Sequence, residues 1–222
     1  MTFSQRKKDI LSKEDKSSIG EWDKHIVDLC DKLNGFDNYY TTSSCSGRVV
    51  LVKDQDNRES GMFGFVSHDL VDFDEFMNNL HLLLTNKLTE SKQISSGFSL
   101  NNKVKEEGLV ESNLSKAGNG LKSINFKFKQ EPPILHVVCK SLEDAESLLK
   151  KAQLVGFKRS GAISLSGNIV VELISTEKIE FPLLKDGNLL VREDFLRFVI
   201  QKSNENLEKG WKKVENLKNS LE

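Results

Sequence analysis

Residues 39–52 read YYTTSSCSGRVVLV. Tyr39–Thr42 and Arg48–Lys53 carry the aromatic and β-branched residues of strands. Between them, Ser43 to Arg48 supplies three serines, a cysteine, a glycine and an arginine. A tight hairpin turn needs only a pair such as Asn-Gly. A longer hairpin loop, rich in hydroxyls and backbone N–H groups and closed by a guanidinium, is suited to hold a carboxylate or a phosphate. A solvated polar loop accounts for the same residues without a ligand.

Upstream, SIGEWDKHIVDLCDKLNG spaces Trp22, Ile26, Leu29, Cys30 and Leu33 as one face of a helix that stops at Gly35. Downstream come a polar turn, DQDNRESG, and a strand, MFGFVS, leading to His68. The helix DFDEFMNNLHLLLT follows, capped by Asp72 or Asp69. From about Leu88 to Gly120 the composition turns to Ser, Asn, Lys, Glu and Gly, which predicts a mobile insertion with some local structure. INFKFK alternates Ile124, Phe126 and Phe128 as a half-buried strand, and PILHVVC is another. SLEDAESLLKKAQLVGF is a helix with Ser141 at its N-cap and Gly156 at its stop. KRSGAIS and NIVVELIST are strands joined at Ser166–Asn168, and a long amphipathic helix runs through Leu196, Val199, Leu207, Trp211, Val214, Leu217 and Leu221.

Hairpin-joined strands alternating with helices in this order predict an α+β fold: mostly antiparallel sheet flanked by helices, with a long C-terminal helix and no Rossmann unit. No G-x-G-x-x-G follows a strand. SCSGRVVLV and RSGAISLSGNIVVELI both run a Ser-Gly turn into a Val-rich strand, an echo consistent with internal duplication. We read residues 1–222 as one domain. At 37% hydrophobic and 29% charged the chain has a globular composition, and its formal net charge of −1 leaves RNA contact to local patches. No apolar run reaches membrane-spanning length and no signal core opens the chain, so a cytoplasmic protein is expected. Cys30, Cys45 and Cys139 lack C-x-x-C spacing, which argues against a zinc ribbon or a disulfide framework, and no metal is expected.

The segments TTSSCSGR, FVSH, EPPILHVVC, GFKRSGA, VELIST with PL after it, and VREDFLRFVIQKSNENL occur in that order. The set resembles the tRNA wybutosine-synthesizing protein 3 family, from DKSSIG to the C-terminus, leaving out 88–120. The resemblance implies a methyltransferase using S-adenosylmethionine. Its substrate would be the aminocarboxypropyl-demethylwyosine base 3′ to the anticodon of phenylalanine tRNA, methylated at N4. Carried over by position, the motif residues are Ser44, Cys45, Ser46, Gly47, Arg48, Ser160, Gly161, Ser175 and Thr176 for the cofactor, with His68 and His136 in the chemistry. Where family members often carry Trp, this chain has Phe63, a smaller face for stacking on a base.

Methyl transfer from a sulfonium is an in-line displacement that needs positioning and a proton acceptor. His68, at a strand end before an acidic helix start, suits a base or a hydrogen-bond donor, or simply a satisfied polar residue. His136 lies within an apolar strand, where a buried, hydrogen-bonded histidine is equally consistent. Lys158 and Arg159 could clamp tRNA phosphates or a carboxylate, or lie on a solvated turn. Cys45 reads as packing rather than as a nucleophile. Two other classes remain open: a non-catalytic tRNA-binding module, and a hydrolase using Cys45 with a histidine. The sequence leaves the oligomeric state undetermined.

Overall fold

Tyr39–Cys45 (β1) and Arg48–Lys53 (β2) are strands, but they do not form a hairpin. β1 pairs with Ile134–Cys139 (β5), while β2 pairs with Phe63–Ser67 (β3) and Phe126–Glu131 (β4). The expected loop is therefore absent. Ser43, Ser44 and Cys45 belong to β1, and only Ser46 and Gly47 lie between the two strands. Their partners are distant in sequence, so local pattern could mark the strands and not their pairing.

The computed structural model describes residues 2–13, 23–54, 63–95 and 125–221. The further elements are α1 (Phe3–Leu11), α2 (Val27–Gly35), α3 (Phe73–Ser95), α4 (Leu142–Leu154), β6 (Gly161–Ser164), β7 (Ile169–Ile174), β8 (Ile179–Lys185), β9 (Asn188–Leu189) and α5 (Glu193–Ser220). They make an α+β fold with two sheets, ordered β1-β5-β7-β6 and β3-β2-β4-β8-β9, with every described pair antiparallel.

Those orders carry the architecture. β1-β5-β7 in one sheet continues as β2-β4-β8 in the other, so three chains cross between the sheets side by side. They cross at Ser46–Gly47, at Pro132–Pro133 and at residues 175–178, which together form a seam. Pro suits such a crossing, since it ends a ladder for want of an N–H.

Each sheet has its own core. Leu135, Val137, Val171 and Leu173 pack with Leu29 and Leu33 of α2, Leu148 of α4 and the end of α5 (Val214, Leu217). Val49, Leu51, Phe126 and Phe128 pack with Phe76 and Leu80 of α3 and the start of α5 (Leu196, Val199, Ile200). The 28 residues of α5 serve both cores and pass beneath the seam.

Two glycines permit that passage. Gly47 has φ +99°, and a Cβ there would lie 3.0 Å from the Glu131 carbonyl oxygen and 3.1 Å from Leu207. At Gly210 a Cβ would fall 2.7 Å from Pro133 Cδ. An exposed helical Gly→Ala gains up to about 1 kcal/mol of helix propensity, whereas overpacking costs about 1–3 kcal/mol. Gly210→Ala is thus expected to lower unfolding free energy by about 1 kcal/mol in urea titration. A rise would mean the helix does not press on Pro133.

The reading of elements needs adjustment, since β8 and β9 were not anticipated. α1 was not anticipated, although its T-x-x-Q start is a capping box: Gln5 N–H donates to Thr2 Oγ1 and Thr2 N–H to Gln5 Oε1, each at 3.3 Å. α3 continues to Ser95, into the segment read as an insertion from Leu88, and the rest of that segment lies outside the described residues. Trp22 and Ile124 also lie outside them. The caps at Asp72 and Ser141 are present, and Gly156 follows α4 with φ +109°. The two Ser-Gly stretches differ in place: Ser46–Gly47 crosses between sheets, while Ser166–Gly167 turns within the β6–β7 hairpin.

Candidate functional site

At the β1–β3 side of the seam Asp23 is the hub. Its Oδ2 accepts the Ser46 backbone N–H at 2.8 Å and faces His68 Nδ1 at 3.1 Å. Its Oδ1 accepts the His25 N–H at 3.3 Å. Asp23 is held here because His25 stacks on Trp211 of α5, ring centroids 3.7 Å apart, and bonds Asp69 beside His68. Burial works to raise the Asp23 carboxyl, but the hydrogen bonds from His68, Ser46 and His25 outweigh it and hold the group at about 2. The Asp23 hydrogen bond, with help from Cys45 and against burial, pushes His68 up to about 9. At neutral pH the pair is therefore ionic, and His68 is a cation. It acts as a donor, and the reading of it as a base does not suit this environment.

Cys45 Sγ lies 3.8 Å from the same His68 Nδ1. A thiol–imidazole–carboxylate relay needs two different ring nitrogens, one for each neighbour. Both contacts fall on one, which argues against a Cys/His hydrolase. Asp23, Cys45 and His68 have ligand atoms within 4.8 Å of one another, a donor set that could hold a metal ion. We read it as the ion pair with a thiol beside it. Burial pushes the thiols of Cys30 and Cys139 up to about 12, and all three cysteines are free.

Across the first sheet, Ser43, His136, Glu172 and Gly161 stand in register on neighbouring strands. Ser43 Oγ lies 2.9 Å from His136 Nδ1, and Glu172 Oε2 lies 2.9 Å from His136 Nε2. His136 is half-buried, and both of its ring nitrogens are engaged. Ser160 stitches the same region by accepting the Ile174 N–H at 3.1 Å, while space is open beside the Gly161 backbone.

On the second sheet Arg48 Nε donates to Glu131 at 2.7 Å, and its guanidinium stands 5.3 Å from the Phe63 ring centroid. Its terminal nitrogens make no hydrogen bond among the described residues. Phe63 is 43% exposed. Beneath the seam, Ser175 is buried and donates to Glu177, while Lys213 Nζ donates to Ser175 Oγ at 2.9 Å and to Glu177 at 2.5 Å. Burial works to raise Glu177, but Lys213 and Ser175 hold it at about 2. Ser175 thus braces α5 against the seam.

The structure brings Cys45, Ser46 and His68 together, Arg48 with Phe63, and His136 with Gly161 across Glu172. Ser44 faces Cys30 instead. Thr176, Lys158 and Arg159 are exposed, and the last two make no hydrogen bond or ion pair among the described residues. Asp23, Glu131 and Glu172 were missed. Strand alternation sets Glu172 opposite to Val171 and Leu173, but its partner is on another strand.

A family model described as Methyltransferase TYW3 matches residues 5–222. The chain belongs to this family. Its relatives include the human tRNA wybutosine-synthesizing protein 3 homolog, 33% identical over 221 residues, covering 99% of this chain and 72% of that protein. The Archaeoglobus fulgidus tRNA(Phe) 7-((3-amino-3-carboxypropyl)-4-demethylwyosine(37)-N(4))-methyltransferase is 32% identical over 90% of this chain and 83% of its own. The PH1069 protein from Pyrococcus horikoshii shares the fold at TM-score 0.72 and 27% identity, over 99% of this chain and 93% of that one. A TYW3-family chain accounts for the sequence resemblance, and three of the motif segments, TTSSCSGR, EPPILHVVC and VELIST, lead into the crossings at the seam. Among the described residues no helix is long and apolar enough to cross a membrane.

Proposed function

We propose that this chain methylates N4 of the aminocarboxypropyl-demethylwyosine base 3′ to the anticodon of phenylalanine tRNA, with S-adenosylmethionine as methyl donor. One observation carries the reading: the TTSSCSGR, EPPILHVVC and VELIST segments cross side by side at one seam with Leu207 packed against Gly47, in a family whose archaeal members are named for this step. We take residues 1–222 to act as one domain, which the shared helix α5 supports, and to work in the cytoplasm.

The donor set at the seam fits an amino-acid end. The terminal nitrogens of Arg48, or the Nε2 of cationic His68, would take its carboxylate, with Glu131 available to the ammonium. Gly47 and Ser46 would form the floor, and Ser160 and Gly161 the far wall. When bound, the donor supplies an electrophilic methyl group on a sulfonium. Phe63 would stack on the base, and Lys158 and Arg159 would meet tRNA phosphates. The protein orients both partners and excludes water.

Incubation with labelled S-adenosylmethionine and tRNA carrying the aminocarboxypropyl intermediate is expected to label the tricyclic base. If a family member transfers label under the same conditions and this chain does not, the reading is wrong.

A further inference from the structure

Resting on that methyl-transfer reading, we propose that Ser43, His136 and Glu172 form a proton relay that removes the proton from the nitrogen being methylated, with Ser43 meeting the base.

The direction of the relay follows from what each atom can do. A carboxylate only accepts, so Glu172 Oε2 at 2.9 Å from Nε2 requires the hydrogen on that nitrogen. In the neutral ring Nδ1 then carries the lone pair. Ser43 Oγ, 2.9 Å away, must donate its hydrogen to Nδ1. That leaves the lone pairs of the serine oxygen free to accept. Ser43 is the exposed member of the row, and it lies two residues from Cys45 on the same strand face, since Ser43 pairs with His136 and Cys45 with Ile134. The relay therefore opens beside the Cys45–His68 group.

The two histidines stand in opposite settings. His68 presents Nδ1–H to Asp23 and is already a cation, so it cannot take a proton. His136 has an acceptor nitrogen backed by a hydroxyl that can reach a ligand. Paired groups set to different tasks by their surroundings are the usual division of acid and base labour.

The step balances. The lone pair on N4 forms the new bond to the methyl carbon, and the carbon–sulfur bond breaks with its electron pair left on sulfur. The N4 proton passes to Ser43 Oγ as the serine proton passes to His136 Nδ1. The resulting imidazolium is held by Glu172 until it releases the proton to water.

Two measurements test this on the full chain. In the free protein, long-range proton–nitrogen spectra of the histidine rings should show His136 with hydrogen on Nε2 and a lone pair on Nδ1. The opposite tautomer would overturn the relay. In single-turnover assays, Ser43→Ala and His136→Gln are expected to slow methyl transfer about 100-fold, the usual share of positioned acid–base groups. Donor affinity by calorimetry and KM for the modified tRNA should stay within about twofold of wild type. Ser43→Thr, which keeps the hydroxyl, should recover most of the rate. Variants as fast as wild type, or impaired only in KM, would mean the row is structural and end the proposal. A wild-type chain that binds donor but never methylates would overturn the functional reading and this step with it.

Discussion

Asp23→Asn is expected to destabilise the folded chain by about 2 kcal/mol between pH 4 and 6.5, and to remove the loss of stability that wild type shows on going toward pH 9. The reason is linkage between protonation and folding. His68 rises from an ordinary 6.5 to about 9 on folding. Its contribution is fully present below pH 6.5 and is lost as pH rises through 9. Asp23 falls from 3.8 to about 2, so its contribution is present above pH 3.8 and is lost as pH falls through 2. One ion pair underlies both changes, and they are not added. The side chains are 20% and 8% exposed, so screening reduces the figure without abolishing it. Urea unfolding from pH 5 to 10 should give a wild-type curve that declines above pH 6.5, while Asp23→Asn and His68→Gln run flatter. Parallel curves for all three would show that the pair is not formed in solution. His68→Gln should also weaken binding of whatever anion His68 grips.

Arg48→Ala is expected to weaken binding of either the methyl donor or the modified tRNA by roughly 30- to 150-fold, the equivalent of about 2–3 kcal/mol for a charged hydrogen bond. The guanidinium has Nε on Glu131 and terminal nitrogens that make no hydrogen bond among the described residues, so a two-point grip on a carboxylate remains available. Stability should change by less than about 1 kcal/mol, since the ion pair is 29% and 32% exposed. Arg48→Lys should restore only part of the affinity, because an ammonium cannot contact Glu131 and a ligand with the same fixed fork. Calorimetry with each partner separately identifies the carboxylate held. Unfolding of Arg48→Ala, with normal binding by the residual folded protein, would make the arginine a structural strut.

Although β8 (Ile179–Lys185) and β9 were not read, the strands β1 to β7 and the caps at Asp72 and Ser141 were legible because they depend on neighbours within a few residues. So was the helix α5, whose apolar stripe spans both cores. Two local signals were passed over: the capping box that opens α1, and the continuing helical run of α3 to Ser95.

The sequence by itself determined the element types, the α+β class and the family, because periodicity and ordered motifs are properties of the linear chain. Tertiary structure alone decided that β1 and β2 part into different sheets, since strand pairing is settled by distant partners and burial. It also decided what each histidine does. His68 meets Asp23 from 45 residues away and His136 meets Glu172 from 36, and a ring's charge and tautomer are set by the atom that faces it in space.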